Sequence, residues 1–280
     1  MEPPDSPVTI PALQQMKRER RKIVGVVAWD SQIAQIVDRA GVDIVSVGDT
    51  VGVNLWGHAN PLEVTMNEML VVCKAVRRGV KRALLSCDFP FGPLQEGTNS
   101  AVRGAVMLVK EAGADMIKLD GAAEFPDAVR AIARAGIPVF AQFGITPQTA
   151  LRYGVSYSAA SKAGAQVPAE MTTKLVEEAK RLEDAGASLL DFTNSGAAAG
   201  TAVAAAVSIP VLGGFGGGPW LDGRMRMAHA AIGYAASNLD SPVESYANVA
   251  KIAFDAIGAY VEDVRAGRQI KGAGPVRRAK

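Results

Sequence analysis

The residues of this 280-residue chain best suited to chemistry are aspartates that close short apolar runs. Asp30 follows the run 23–28, Asp49 follows 42–48, Asp88 follows 82–87, Asp120 follows 114–119, and Asp191 lies within 187–192. Oxygen donors with no neighbouring His or Cys suit a hard cation of the Mg²⁺ class. Carboxylates gathered at one place repel one another unless a cation or a lysine neutralises them. Lys118 stands two residues before Asp120 and so shares its strand face. There it could hold an oxo-acid carboxylate or steady an enolate oxygen. Thr50 adds a hydroxyl, and Gly213-Gly214-Phe215-Gly216-Gly217-Gly218 would let backbone N–H groups approach a ligand. Each feature has a plainer reading taken singly: a helix N-cap for an Asp, a salt bridge for Lys118, a pliant loop for the glycines. Several acids in one ring shift the reading toward a site.

A recurrent joint shows how those acids are brought together. A helical pattern ends at Ala-Gly and a short apolar run follows, at Ala40-Gly41, Ala112-Gly113, Ala135-Gly136 and Ala185-Gly186. Glycine is favoured there because it enters the left-handed region without a Cβ clash. Strands are predicted at 23–28, 42–48, 82–87, 114–119, 137–141, 187–192 and 208–213, with a weak eighth near 228–234. The segments 31–40, 99–112, 125–135 and 170–185 carry apolar residues at helical spacing. Near-continuous apolar strands alternating with helices are the pattern of a parallel sheet covered on both faces. Seven or eight such units predict an α/β fold of the (β/α)8 TIM-barrel type, a single domain with a leading N-terminal helix. A doubly wound sheet is the alternative, but residues 24–30 contain only Gly25 where its glycine fingerprint would stand. The expected boundaries are a segment and helix over 1–22, the barrel over 23–268, and a tail over 269–280 ending in the basic Arg277-Arg278-Ala279-Lys280. In a barrel the strand ends carrying Asp49, Asp88 and Asp120 surround one mouth.

Composition excludes other classes. Thirty Lys and Arg against 28 Asp and Glu leave a net charge of +2, too little to hold a phosphate backbone, so nucleic acid is not an expected partner. Two cysteines and two histidines cannot build a Cys₄ or Cys₂His₂ zinc site, and the cysteine usage fits a reducing cytoplasm. No apolar run reaches 18 residues and residues 1–11 do not resemble a signal peptide, so no membrane partner is expected either. The basic cluster Lys17-Arg18-Glu19-Arg20-Arg21-Lys22, behind Leu13 and Met16, reads as the solvated face of the leading helix.

In order along the chain, Val47-Gly48-Asp49-Thr50, Asp88-Phe89-Pro90-Phe91, Ile117-Lys118-Leu119-Asp120-Gly121, Gly144-Ile145-Thr146-Pro147-Gln148 and Asp222-Gly223 resemble the ketopantoate hydroxymethyltransferase family. The resemblance runs over almost the whole chain and includes Ala75-Val76-Arg77-Arg78-Gly79 and a closing helix near Tyr260 to Gly267. It implies a magnesium-dependent (β/α)8 barrel that transfers a hydroxymethyl group from methylenetetrahydrofolate to 2-oxoisovalerate on the way to pantothenate, and that assembles as a homo-oligomer. It also implies that Asp49 and Asp88 are metal ligands, with Asp120 in place of a Glu near the metal. Lys118 matches the family's substrate lysine, and Thr50 takes the place of a substrate-contacting serine.

Three departures stand against that match. Thr193 occupies the place of the family's Glu base, Gln142 that of its His, and the family's Gly-Gly-x-x-Val-Gln-Gly-Arg loop is unrecognisable in 153–165. Aldol addition at C3 of a 2-oxo acid needs a polarised carbonyl and a base for the C3 proton, and a threonine is no base at neutral pH. Asp191, two residues back on the same strand face, is the candidate replacement. Thr193, Asn194 and Gln142 would then line a pocket for a more polar substrate. Three readings compete: the family's aldol reaction or a variant on another 2-oxo acid; metal-dependent lyase or decarboxylase chemistry needing no C3 base; and a non-catalytic paralogue.

Overall fold

The computed structural model describes residues 6–156, 167–214, 217–240 and 245–272. Eight strands, β1 (Ile23–Val27), β2 (Ile44–Val47), β3 (Leu84–Asp88), β4 (Met116–Leu119), β5 (Val139–Gly144), β6 (Leu189–Thr193), β7 (Val211–Gly213) and β8 (Gly223–Met227), follow one another in chain order. Neighbouring strands pair in parallel and the sheet closes, giving the predicted (β/α)8 barrel. The helices are α1 (Ile10–Arg18), α2 (Ser31–Arg39), α3 (Val51–Asn54), α4 (Met66–Gly79), α5 (Thr98–Ala112), α6 (Pro126–Arg134), α7 (Thr172–Asp184) and α8 (Ala197–Ala206). Gly41, Gly113, Gly136 and Gly186 adopt φ of 90°, 73°, 84° and 97°, so all four Ala-Gly joints use the left-handed conformation that made them recognisable.

Strand parity sorts the core into two. Outward residues such as Val45, Val47, Leu85, Ile117, Val139 and Phe192 join the helices in one large cluster. Inward, Ile23, Ile44, Leu84, Met116, Phe140, Leu189, Leu212 and Met225 form a second cluster with Leu13 and Met16 of α1. The leading helix is therefore part of the barrel's interior packing. Gly25 serves this layer, since a Cβ there would stand 2.0 Å from Met225 Sδ. Further along the strands the inward positions become polar: Ser46, Ser86, Asp88, Lys118, Gln142, Asp191 and Thr193 are all buried.

Two expectations are corrected. The eighth strand lies at Gly223–Met227, and Ala228–Ala231 is a short helix. The strand hid because exposed Arg224 and Arg226 alternate with buried Gly223 and Met225, so it has no continuous apolar run. The basic cluster is also not all solvated. Lys17 Nζ donates to the carbonyls of Ala204 and Ile209, both at 2.9 Å, and pairs with Asp222 at 2.9 Å. Lys22 donates to the Pro219 carbonyl at 2.8 Å and to that of Leu221 at 2.5 Å.

By internal packing the chain divides after Arg226. The unit from Met227 holds α9 (Ala228–Ala231), a single 3-10 turn at Ala236–Leu239, and α10 (Val249–Arg265), which is longer than the closing helix expected from sequence. Asn248 caps α10 by accepting from Lys251 N at 3.0 Å, and Arg268 folds back onto Asp263 at 2.7 Å. The tail 277–280 lies outside the described residues. Among those described, no helix is long and apolar enough to cross a membrane.

Candidate active site

Not every strand-end aspartate is free for chemistry. Asp30 Oδ1 accepts from Gln32 N and Ile33 N, each at 2.8 Å, and is the N-cap of α2. The other four converge. Asp49 follows β2, Asp88 ends β3, Asp120 follows β4 and Asp191 lies inside β6, and each feels at least one of the others electrostatically.

Lys118 sits among them because the β3–β4 register sets it opposite Asp88. Its Nζ donates to Asp88 Oδ2 at 2.8 Å and stands 3.5 Å from Asp191 Oδ2. Burial works against the lysine's charge, but Asp88, Asp191 and Asp49 more than offset it and hold the ammonium protonated. Ser46 Oγ donates to the second oxygen of Asp88 at 3.3 Å, and Gly214 N donates to Asp191 Oδ1 at 3.0 Å.

One ammonium against four carboxylates leaves negative charge uncompensated. Burial, reinforced by Asp88 and Asp120, pushes Asp49 up to about 7, against a downward pull from Lys118 and Gln148. Burial also lifts Asp120 to about 6, although Thr146, Lys118 and the Gln148 N–H pull it down, and burial raises Asp191. Asp120 Oδ2 accepts from Gln148 N at 3.2 Å, whereas its buried Oδ1 has no hydrogen-bond partner. Among the described residues, no three His, Cys, Asp or Glu side chains stand close enough together to hold a metal ion by themselves. The donor set nevertheless fits a divalent ion. An orphaned buried carboxylate oxygen and acids lifted toward neutral pH are what an all-oxygen site shows before a dication neutralises it.

The positions that depart from the family pattern form a pair of their own. Gln142 and Thr193 both face inward, and Gln142 Nε2 donates to Thr193 Oγ1 at 2.8 Å. Asn194 is held at φ 56°, with its side-chain Nδ2 donating to Ile145 O at 3.2 Å and its backbone carbonyl accepting from Val167 N at 2.7 Å. Its amide thus ties the β5 and β6 loops together. Thr50 is buried at the start of α3, where its hydroxyl makes no capping bond. The stretch 153–165 and the glycine run 213–218 fall partly outside the described residues.

Sequence reasoning gave Gln148 no role. Its Nε2 donates to Asp49 Oδ2 at 2.9 Å and to Phe89 O at 3.2 Å, while its backbone N–H reaches Asp120. The signal was present in Gly144-Ile145-Thr146-Pro147-Gln148, which carried the resemblance without a chemical assignment. Thr146, a second partner of Asp120, comes from the same motif.

The family model described as ketopantoate hydroxymethyltransferase matches residues 7–269. A 3-methyl-2-oxobutanoate hydroxymethyltransferase of Cyanothece sp. is 38% identical over 271 residues, covering 95% of this chain and 99% of that protein. Among solved structures, a phosphonopyruvate hydrolase in complex with oxalate and Mg²⁺ superposes with a TM-score of 0.57 at 15% identity, over 96% of this chain and 92% of that one. A 2,3-dimethylmalate lyase, a PEP mutase/isocitrate lyase superfamily member, gives 0.58 at 13% identity, over 95% and 91%. These two show likeness of fold.

Proposed function

The chain belongs to the ketopantoate hydroxymethyltransferase family, and from that premise we propose that its barrel carries out Mg²⁺-dependent aldol-type carbon–carbon bond chemistry on a 2-oxo acid. The observation that carries this reading is Lys118, held protonated among Asp88, Asp191 and Asp49 beside a carboxylate with an unpartnered oxygen. Asp49 and Asp88 would hold the ion, with Asp120 at its edge. When bound, the ion supplies a Lewis acid that polarises the 2-oxo carbonyl. Lys118 supplies a fixed positive charge for the substrate carboxylate or for an enolate oxygen, and Thr50 a hydroxyl donor.

The proton step sets this chain apart. Neither Thr193 nor Gln142 can accept a C3 proton at neutral pH, and each already spends part of its hydrogen-bonding capacity on the other. Asp191 is buried beside them, with one oxygen held by Gly214 N and the other near Lys118. Its first role in this reading is to balance Lys118, and any base role is secondary. The neutral Gln142–Thr193 pair favours a substrate with a polar group at that position over 2-oxoisovalerate, whose isopropyl group would leave both unmatched. The same pair favours, as a second reading, lyase or decarboxylase chemistry in which an enolate forms without removal of a C3 proton. In the first reading methylenetetrahydrofolate, the family's one-carbon donor, is the co-substrate, and the protein works in the cytoplasm as a homo-oligomer.

Proton NMR of a panel of 2-oxo acids in D₂O with Mg²⁺ and the enzyme tests both. C3 deuteration identifies an aldol-competent substrate, and cleavage without prior exchange identifies lyase chemistry. Exchange confined to 2-oxoisovalerate, with fast ketopantoate formation once methylenetetrahydrofolate is added, would replace the altered-substrate reading with the plain family reaction.

A further inference from the structure

The carboxylates that would hold the ion are themselves held by one residue. Gln148 approaches from the loop after β5 and uses both hydrogens of its amide nitrogen, one on Asp49 Oδ2 at 2.9 Å and one on Phe89 O at 3.2 Å. Its backbone N–H binds Asp120 Oδ2 at 3.2 Å. The tips of β2, β3 and β4 are thereby tied to a single side chain and its peptide. In both aspartates Oδ2 is the oxygen engaged, and Asp120 Oδ1 is buried and without a partner.

Amide donors can bind a carboxylate without adding charge or competing as strong ligands, and so can fix which oxygen is turned away. Lys118 is engaged by Asp88 and Asp191, so the orientation of Asp49 and Asp120 falls to the neutral donors of Gln148. Pro147, immediately before Gln148, fixes its own φ and restricts Thr146, which keeps the segment in register with both acids.

We propose that Gln148 is a positioning residue of the metal site, orienting Asp49 and Asp120 so that the Oδ1 atom of each is left for the ion. The inference rests on the Mg²⁺ reading above, and its test separates the two. A small, rigid ion that demands near-ideal octahedral geometry gains most from preoriented ligands, while Ca²⁺ tolerates looser ones. Gln148 should therefore set selectivity as well as affinity.

The experiment is Mn²⁺ binding to the whole protein, followed by electron paramagnetic resonance, with Mg²⁺ and Ca²⁺ as competitors. Wild type should bind and Asp49→Asn should not. Gln148→Met keeps the side-chain length but removes the donors. It should weaken Mn²⁺ and Mg²⁺ binding by about 10- to 100-fold, the range for ligand-orienting partners, and Ca²⁺ binding by less, so that the Mg²⁺ over Ca²⁺ preference falls. Gln148→Asn, which withdraws the amide by one methylene, should act in the same direction. If Gln148→Met does not fold, that variant and the shift of the wild-type Gln148 amide resonances on Mg²⁺ addition carry the test.

Absence of Mn²⁺ binding in wild type would remove the metal reading and this inference with it. Binding that needs Asp49 but is indifferent to Gln148 would overturn the inference alone. A uniform loss with the Mg²⁺ to Ca²⁺ ratio unchanged would overturn it too, by assigning Gln148 to packing.

Discussion

Gln142 donates its carboxamide N–H to Thr193 Oγ1 at 2.8 Å, joining the ends of β5 and β6 from inside the barrel. The strands bring this about directly. β5 and β6 are parallel neighbours in which Gln142 pairs with Asp191 and Gly144 with Thr193, so both side chains turn to the lumen. The bond takes up one acceptor site on the threonine and one donor on the glutamine. What remains for a ligand is the hydroxyl hydrogen and second lone pair of the threonine and the carbonyl and second N–H of the glutamine, all neutral. A His and a Glu in these two places would offer a proton relay, whereas this pair offers recognition.

The first prediction concerns that replacement. Thr193→Glu should restore a base and raise C3 exchange of 2-oxoisovalerate by about 10²- to 10⁴-fold over wild type, the usual worth of a positioned base. Adding Gln142→His should improve it further, since the carboxylate then has a partner. Exchange rates by NMR decide it. Fast wild-type ketopantoate formation that disappears in Asp191→Asn would mean that Asp191 has taken over the base role.

The second concerns pH and metal. Asp49 at about 7 and Asp120 at about 6 both stand above an ordinary aspartate at about 3.8, so between roughly pH 4 and 7 the folded protein binds protons that the unfolded chain has released. More protons in the native state mean that stability falls as pH rises through that window and then levels off. These two acids should cost the metal-free protein on the order of a few kcal/mol at pH 8 relative to pH 4. Mg²⁺ favours the ionised forms and should restore more Tm at pH 8 than at pH 5. Asp49→Asn should flatten the slope in EDTA. A metal-free slope unchanged by Asp49→Asn would show that the carboxylates are compensated without an ion.

The barrel was legible because its signals are local and repeated: a left-handed glycine ends a helix and an apolar run begins the next strand. The same logic explains where reading failed. β8 has only two inward side chains of consequence, one of them hydrogen, so periodicity had nothing to grip. Asp49, Asp88 and Lys118 could be placed at one mouth from strand ends alone. Gln148 and Ser46 could not be given roles, because their meaning lies in contacts 99 and 42 residues away. Asp38 was passed over for the same reason. It is buried at the end of α2 and accepts from Arg82 N at 3.1 Å and Ala83 N at 2.7 Å, more than forty residues later in the chain.

The third prediction follows from Lys17, which looked like one charge of a solvated run and is instead a partly buried tie at the opposite end of the barrel from the acids. Its ammonium has three acceptors at 2.9 Å, the carbonyls of Ala204 and Ile209 and the carboxylate of Asp222. Asp222 Oδ2 also accepts from Val211 N at 2.8 Å, so the tie reaches the start of β7. Beside it Leu13, fully buried, fills the lower end of the inner core. Lys17→Met keeps the apolar stem but leaves a partly buried carboxylate and two carbonyls without their donor, and should cost about 1–3 kcal/mol, the usual penalty for unpaired polar groups. Leu13→Ala should cost about 2–5 kcal/mol through lost burial and the cavity left behind. Neither residue approaches the acids at the other end, so Mg²⁺ affinity and substrate exchange by the folded fraction should match wild type. Urea unfolding read beside Mn²⁺ titration separates the two effects. Altered metal affinity in Leu13→Ala at unchanged fold would mean that packing at the closed end of the barrel governs the geometry of its mouth.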